Sequence, residues 1–443
     1  MFFALVLVLF IFLGAGALLS FSFERTLTEQ RLSRIEDTRE IAEAGIERAI
    51  FELNDQGSSY AGETETIQDG TVVISLVTNP DSSKTVTAVA TVQDQTITAR
   101  AQVSAAPTTD AASFFYALQV GAGGVELKNN AKVVGNVVSD GSLDGASGAS
   151  ISQTASVSGV GNSIEDLSVG LDANVATLTH STVGQDAKTL TISSSVIGRD
   201  AYASSITGSV VGRNAYANTI KTTAVGGTQF PGSGIAPPAS VPFPLSDELM
   251  DSWQTEAEAA GTITTYTLPN NTQASLGPVK IDGNLVVNNG ATLTVTGTIW
   301  ATGTITFRNG SVLQLDPDYG TTSGMLIASD PTNPTVNGKI VLENNVVVNG
   351  SGQTNSNILL LSRLQGTAVT AIDAANNSSS MTLYAPLGSV LIHNNFIVNS
   401  VSAYKLTLQN NAQVVYNNGL ASSQFASGPG GAWQLLPGTV EIL

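Results

Sequence analysis

The chain has 443 residues, 42% of them hydrophobic, which is enough for two or three domains with cores of their own. Only 12% are charged, and 18 Lys+Arg stand against 35 Asp+Glu, so no extended phosphate-neutralising face exists and nucleic acid is excluded as a partner. Zero cysteines exclude disulfides and thiolate metal sites, two histidines leave little for imidazole ligation, and the net charge of −17 suits solubility in an external medium.

Met1 to Phe23 carries no charge. A hydrocarbon core of about 30 Å needs roughly 20 apolar residues, so this run predicts a transmembrane span over 1–23 and membrane lipid as a partner. A cleavable signal peptide has a shorter apolar core behind basic residues, and the run reads instead as a permanent anchor. Leu27, Leu32, Ile35, Ile41, Ala42, Ile46, Ala49, Ile50 and Leu53 then recur at spacings of mostly three or four, which predicts an amphipathic helix continuing to residue 55. Its apolar face suits either packing on its own domain or bundling with other helices. Gly45 lies where the rod either bends or packs closely.

Thr71–Thr78, Lys84–Val92 and Gln95–Val103 alternate apolar and polar residues around the turn Asn79-Pro80-Asp81. They predict a small antiparallel β region over 65–105, covered on one face by the lower half of the helix. From about Phe115 the composition shifts to Gly, Ser, Thr, Asn and Val. Val169-Gly170-Leu171-Asp172-Ala173 recurs as Val183-Gly184-Gln185-Asp186-Ala187, Ile197-Gly198-Arg199-Asp200-Ala201 and Val211-Gly212-Arg213-Asn214-Ala215, at 14 residues each time. Short β-branched runs punctuated by Gly and Asn predict a β-solenoid (parallel β-helix), with Val183, Ile197 and Val211 in one interior column. The glycine of each repeat is expected to supply corner dihedrals, and the Asp or Asn two places on to bond the corner backbone. This first array covers 115–230.

Residues 231–262 form a Pro-rich linker and a short helix with Ser246 as N-cap, Asp247 and Glu248 in its first turn, and Leu245 and Met250 as a staple. The helix is expected to cover an open solenoid edge. A second array, 263–443, shares a paired-asparagine signature with the first: Leu127-Lys128-Asn129-Asn130-Ala131, Leu342-Glu343-Asn344-Asn345-Val346, Ile392-His393-Asn394-Asn395-Phe396 and Leu408-Gln409-Asn410-Asn411-Ala412. Asn tolerates the left-handed region, so these pairs read as corner ladders. The fold class predicted is mainly β: a long N-terminal helix, transmembrane then amphipathic, a small antiparallel β region, and a β-solenoid in two arrays.

The uncharged span with Glu24-Arg25 and Ile41-Ala42-Glu43-Ala44-Gly45-Ile46-Glu47-Arg48-Ala49 resembles the N-terminal helix of type IV pilin-like proteins, particularly minor pilins of the PilX type. The resemblance implies that other pilin-like subunits are partners through this helix, and that the rest is exported. Arg25, Arg31 and Arg34 after the span favour the opposite orientation by the positive-inside rule, but Glu24, Glu29 and Asp37 lie among them. Met381-Thr382-Leu383-Tyr384-Ala385-Pro386-Leu387-Gly388-Ser389-Val390, with its neighbouring Asn pairs, resembles bactofilin-like β-helical surface domains. It implies a fold and no activity.

The sequence assigns no catalytic, cofactor-binding or metal residue. Asp316-Pro317-Asp318-Tyr319-Gly320 has the spacing for two carboxylates on one cation, yet lacks a third acidic ligand nearby and reads as a loop leaving a coil. His180 and His393 are isolated from carboxylates in sequence. Arg199 and Arg213 are expected to stack over Asp186 and Asp200, and Tyr202 to stack on Tyr216, an exposed aromatic row of the kind that holds sugar rings. The expected function is a membrane-anchored, surface-displayed pilin-like structural protein in filament assembly or adhesion, located at the cell surface or pilus, with a surface glycan or cell-surface ligand as a partner. A surface polysaccharide-active enzyme or a glycan-binding adhesin outside a filament is the alternative.

Overall fold

The computed structural model describes residues 31–54, 60–67, 70–79, 83–105, 110–111, 113–232, 234–375, 381–428, 433–436 and 438–443. The chain divides into two units, Met1–Ala106 with Gly430–Leu443, and Pro107–Pro429.

In the first unit the strands Thr64–Ile67, Gly70–Thr78, Lys84–Val92 and Gln95–Ala105 form an antiparallel meander. The end of the chain returns to it, because Trp433–Leu435 and Glu441–Ile442 both pair antiparallel with Gln95–Ala105. The residues from 433 onward, read from sequence as part of the second array, are therefore strands of this sheet. Alternation buries Val72, Ile74, Val86, Ala88, Ala90, Ala99, Ala101 and Val103 on one face. The chain is helical over 31–54, and Ile41, Ala42, Ile46, Ala49 and Leu53 close over that face. A Cβ at Gly45 would lie 2.7 Å from Val72 Cγ2 and 2.9 Å from Ala88 Cβ, so this glycine serves close packing of helix on sheet.

The fold-class expectation of a long transmembrane-plus-amphipathic helix is corrected here. Among the described residues no helix is long and apolar enough to cross a membrane, and the span placed at 1–23 lies outside them. The apolar stripe over 41–53, which suited bundling with other helices, is consumed by the unit's own sheet.

The second unit is a single parallel stack, and its order in space differs from its order in sequence. Strands of the C-terminal stretch climb from Thr262–Leu268 through Val279–Val287 to Ser400–Leu408. The next rung is Leu118–Leu127, from the start of the N-terminal stretch, with Leu406 beside Val125 and Leu408 beside Leu127. From there the coils continue outward to Gln229–Phe230. The two arrays read from sequence are thus one solenoid that the chain enters at mid-stack.

One interior column runs through it: Tyr266, Leu285, Ile305, Ile340, Ile372, Val390, Leu406, Val125, Leu143, Ile164, Leu178, Ile192, Ile206 and Ile220. Each fully buried Ile or Leu in it contributes about 1.5–3 kcal/mol. Val183, Ile197 and Val211 are 1%, 0% and 1% exposed, in a second column, as expected. A third, Ala173, Ala187, Ala201 and Ala215, lets the faces of the 14-residue coils approach, and Ala155 precedes it in an 18-residue coil.

Among the described residues one corner is left-handed in coil after coil. Asn130, Asn345, Asn395 and Asn411, the second asparagine of each pair, have φ of 57°, 60°, 61° and 59°. Gly290, Gly310, Gly148 and Gly208 take the same place in other coils, and so do Asp166, His180, Ser194 and Thr222. The repeat glycines do something else. They lack positive φ, and a Cβ on Gly184, Gly198 or Gly212 would lie 2.2, 2.2 or 2.3 Å from the carbonyl oxygen of the glycine one coil before. Close stacking of backbone on backbone, not corner dihedrals, requires them.

The linker runs back along the outside of the stack to reach its far end. Ile235 N–H donates to Thr189 O at 2.9 Å, Ser240 Oγ to Asp140 Oδ2 at 2.6 Å, Gln119 Nε2 to Pro242 O at 2.6 Å, and Tyr384 Oη to Leu245 O at 3.2 Å. The helix Asp247–Ala259 follows, its N-cap Ser246 accepting from Leu249 N–H. Met250, Trp253 and Ala257 bury against Trp300, Met325, Ile327, Leu359 and Leu361. The helix therefore covers an outer wall and not a solenoid edge. Gly324–Ala328 and Ile358–Ser362 are continuously apolar because both their faces are buried.

Candidate functional site

The outer walls carry ladders in which each side chain meets the next coil. Asp172 Oδ1 accepts from Asp186 N–H, Asp186 from Asp200 N–H, Asp200 from Asn214 N–H and Asn214 from Thr228 N–H, all at 3.0–3.1 Å. Arg213 clasps both oxygens of Asp200 with one edge of its guanidinium, Nε and Nη2, and this hydrogen bonding holds the Asp200 carboxyl below the usual carboxylate range. Arg199 reaches Asp186 at 3.6 Å. Both arginines stand in the expected pairs. Arg199 Nη1 also donates to Gln185 Oε1 at 3.3 Å, so each arginine is tied to the preceding coil.

Tyr202, Tyr216 and Phe230 stack with centroids 4.6 and 4.9 Å apart and planes within 4° and 12°. Within the stack, faces that would hold sugar rings are pressed against each other.

The structure brings both histidines to carboxylates. His393 Nε2 lies 2.8 Å from Asp373 Oδ1, whose other oxygen is 3.3 Å from Lys339 Nζ. His180 Nδ1 lies 3.9 Å from Glu165 and from Asp166, and one ligand atom from each of the three falls within 4.8 Å of the others. All three are about half exposed, a setting in which carboxylates commonly cluster without an ion. The signal for these contacts was the coil period, since Asp166 precedes His180 by one 14-residue coil.

Glu126, Asp144 and Glu165 form an acidic column across three rungs. Lys405 and Lys128 donate to Glu126 at 2.8 and 3.0 Å and hold its carboxyl below the usual range. Asp144 has no such partner. It is pushed up by the water it loses and by the carboxylates of Glu165 and Glu126.

Among the described residues, Asp316 and Asp318 do not converge with a third metal-ligating side chain. Asp316 Oδ1 accepts from Asp318 N–H at 3.0 Å and caps the turn Pro317–Tyr319, which leaves the coil. Beside that turn lies a cleft of about 610 Å³, lined by Gln314, Leu315, Pro317, the loop 349–357, Asn399 and Asn417. Sequence reasoning missed it, because its amides come from separate coils and from an insertion. The excess of Asn and Gln over 349–357 was the available signal. The loop is pinned: Ser351 Oγ donates to Gly320 O, Ser356 Oγ to Thr322 O at 2.8 Å, and Ser323 Oγ accepts from Asn357 N–H at 3.0 Å.

No family model matches the chain, and no curated protein matches it. Among solved structures, the competence-associated pilin ComZ from Thermus thermophilus aligns over 92% of this chain and 97% of its own, at 12% identity and a TM-score of 0.23. A TM-score at that level does not establish a common fold.

Proposed function

We propose that the chain is a non-enzymatic structural protein displayed at the cell surface or in a pilus-like assembly, with the solenoid as its presented, rod-like part. The observation that carries this reading is the uninterrupted aliphatic column from Leu285 to Ile220, which makes the second unit one stiff stack. A chain with no cysteine and a net charge of −17 is suited to stand in an external medium by burial and hydrogen bonding alone. The resemblance of the uncharged N-terminal run to that of pilin-like proteins supports assembly with other such subunits.

Adhesion is the task that fits such a rod, through a surface glycan or another cell-surface ligand. The polysaccharide-active alternative loses its support at Asp316, whose carboxylate is engaged in capping its own turn. Antibody raised against 113–428 is expected to label intact cells, and the protein to travel with sheared surface material. Recovery of the chain only from the soluble cytoplasm would overturn the proposal.

A further inference from the structure

The cleft beside Pro317–Tyr319 is unusual for this chain in carrying no charge. Its lining holds no Asp, Glu, Lys or Arg, although the molecule as a whole has a net charge of −17. What it offers is amides: Gln314, Asn349, Gln353, Asn355, Asn399 and Asn417. An amide both donates and accepts, as a sugar hydroxyl does, whereas a carboxylate only accepts and an ammonium only donates. Pro317 is exposed at the rim and, with the backbone of Gly350 and Gly352, supplies apolar surface for the C–H face of a ring, while Leu315 beneath is buried in the core. The side chains of Asn349 and Gln353 are exposed and make no hydrogen bond with any described residue. The carbonyl of Asn399 is likewise free, while its Nδ2 donates to Asn357 at 3.1 Å.

The loop is also held in place before any ligand arrives. Its serines are tied to 320–323, and a Cβ at Gly350 would lie 2.2 Å from Ser356 O, so the two ends of the loop are pressed together. A rigid loop loses little freedom on binding. The geometry points to this cleft as a binding site for a neutral saccharide. The inference rests on the adhesive reading above and names the ligand class and the place. An anionic glycan finds no cation in the lining and is repelled by the molecule's net charge.

The test is calorimetric titration of the full chain with neutral hexasaccharides (cello-, malto-, manno- and chitohexaose) and with hexagalacturonate. At least one neutral sugar is expected to bind, and hexagalacturonate is not. The double variant Asn349→Ala/Gln353→Ala is expected to weaken binding by about tenfold or more, with an unchanged unfolding midpoint. Phe230→Ala is expected to leave it unchanged. The proposal is overturned if no neutral sugar binds at millimolar concentration, if the galacturonate binds as tightly, or if the cleft variant leaves affinity unaltered. Loss of binding in Phe230→Ala alone would move the site to the aromatic stack. Cell-surface labelling is independent of all these outcomes, so failure of the cleft and failure of the displayed-protein reading are separable.

Discussion

The stretch 168–230 and the stretch 262–428 build the same kind of rung by different means. In the first, every coil is 14 residues, Ala fills one interior face, and the walls are tied by side chains that bond the backbone of the adjacent coil, as Asp186 and Asp200 do. In the second, the offset between paired residues on successive coils varies, from 19 at Leu268 and Val287 to 35 at Phe307 and Leu342 and back to 16 at Ile392 and Leu408, the interior takes Phe307 and Leu293, and one wall is sealed by a helix. A short coil leaves no room for error in the backbone, so its glycines and alanines are fixed by contact. A long coil tolerates insertions, and an insertion is where the neutral cleft arises.

The largest expected effect breaks the short-coil half. Gly198→Val puts a branched side chain 2.2 Å from Gly184 O, where only backbone stands, and is expected to cost about 3 kcal/mol or more in chemical denaturation of the chain. Trp253→Ala strikes the long-coil half. This side chain is 0% exposed between helix and wall, and its truncation is expected to cost about 3–5 kcal/mol and to raise protease cleavage within 231–245. If cleavage stays unchanged, the linker is held by its hydrogen bonds alone.

Two smaller effects depend on pH. Asp200 has a depressed carboxyl pKa, so its contribution is present above the unfolded value of about 3.9 and lost as pH falls through the folded value. Asp200→Asn keeps the acceptor for Asn214 N–H and removes the carboxylate charge that faces Arg213. It is expected to lower the unfolding midpoint at pH 7 by less than Trp253→Ala does, with the gap closing in acid. Asp144 is the opposite case. A raised pKa favours the folded state below the unfolded value and loses that advantage as pH rises through the folded value. Asp144→Asn is therefore expected to stabilise slightly at pH 7, with the gain vanishing toward pH 4, and solvent screening makes it the smallest of the four. A gain that persisted in acid would show that charge is not the cause.

Much of the solenoid was legible because its signals are local. The 14-residue period placed Val183, Ile197 and Val211 in one column, and the Asn pairs announced the left-handed corner. The strand Ile358–Ser362 is buried on both faces, and nothing local in it says that a helix is the cover. The cleft was not legible, since Gln314, Gln353 and Asn399 meet only after an insertion folds back on the wall.

The amino-acid order by itself determined the coil, because β-branched residues at fixed intervals and asparagine at the corner leave few other ways to bury the one and satisfy the other. Which coil lies on which was decided only by the tertiary structure. Pairing of Leu406 with Val125, and of 433–435 with 103–105, joins residues hundreds of positions apart. Parallel edges of like width and spacing accept one another whatever their place in the chain, so no local pattern records the partner.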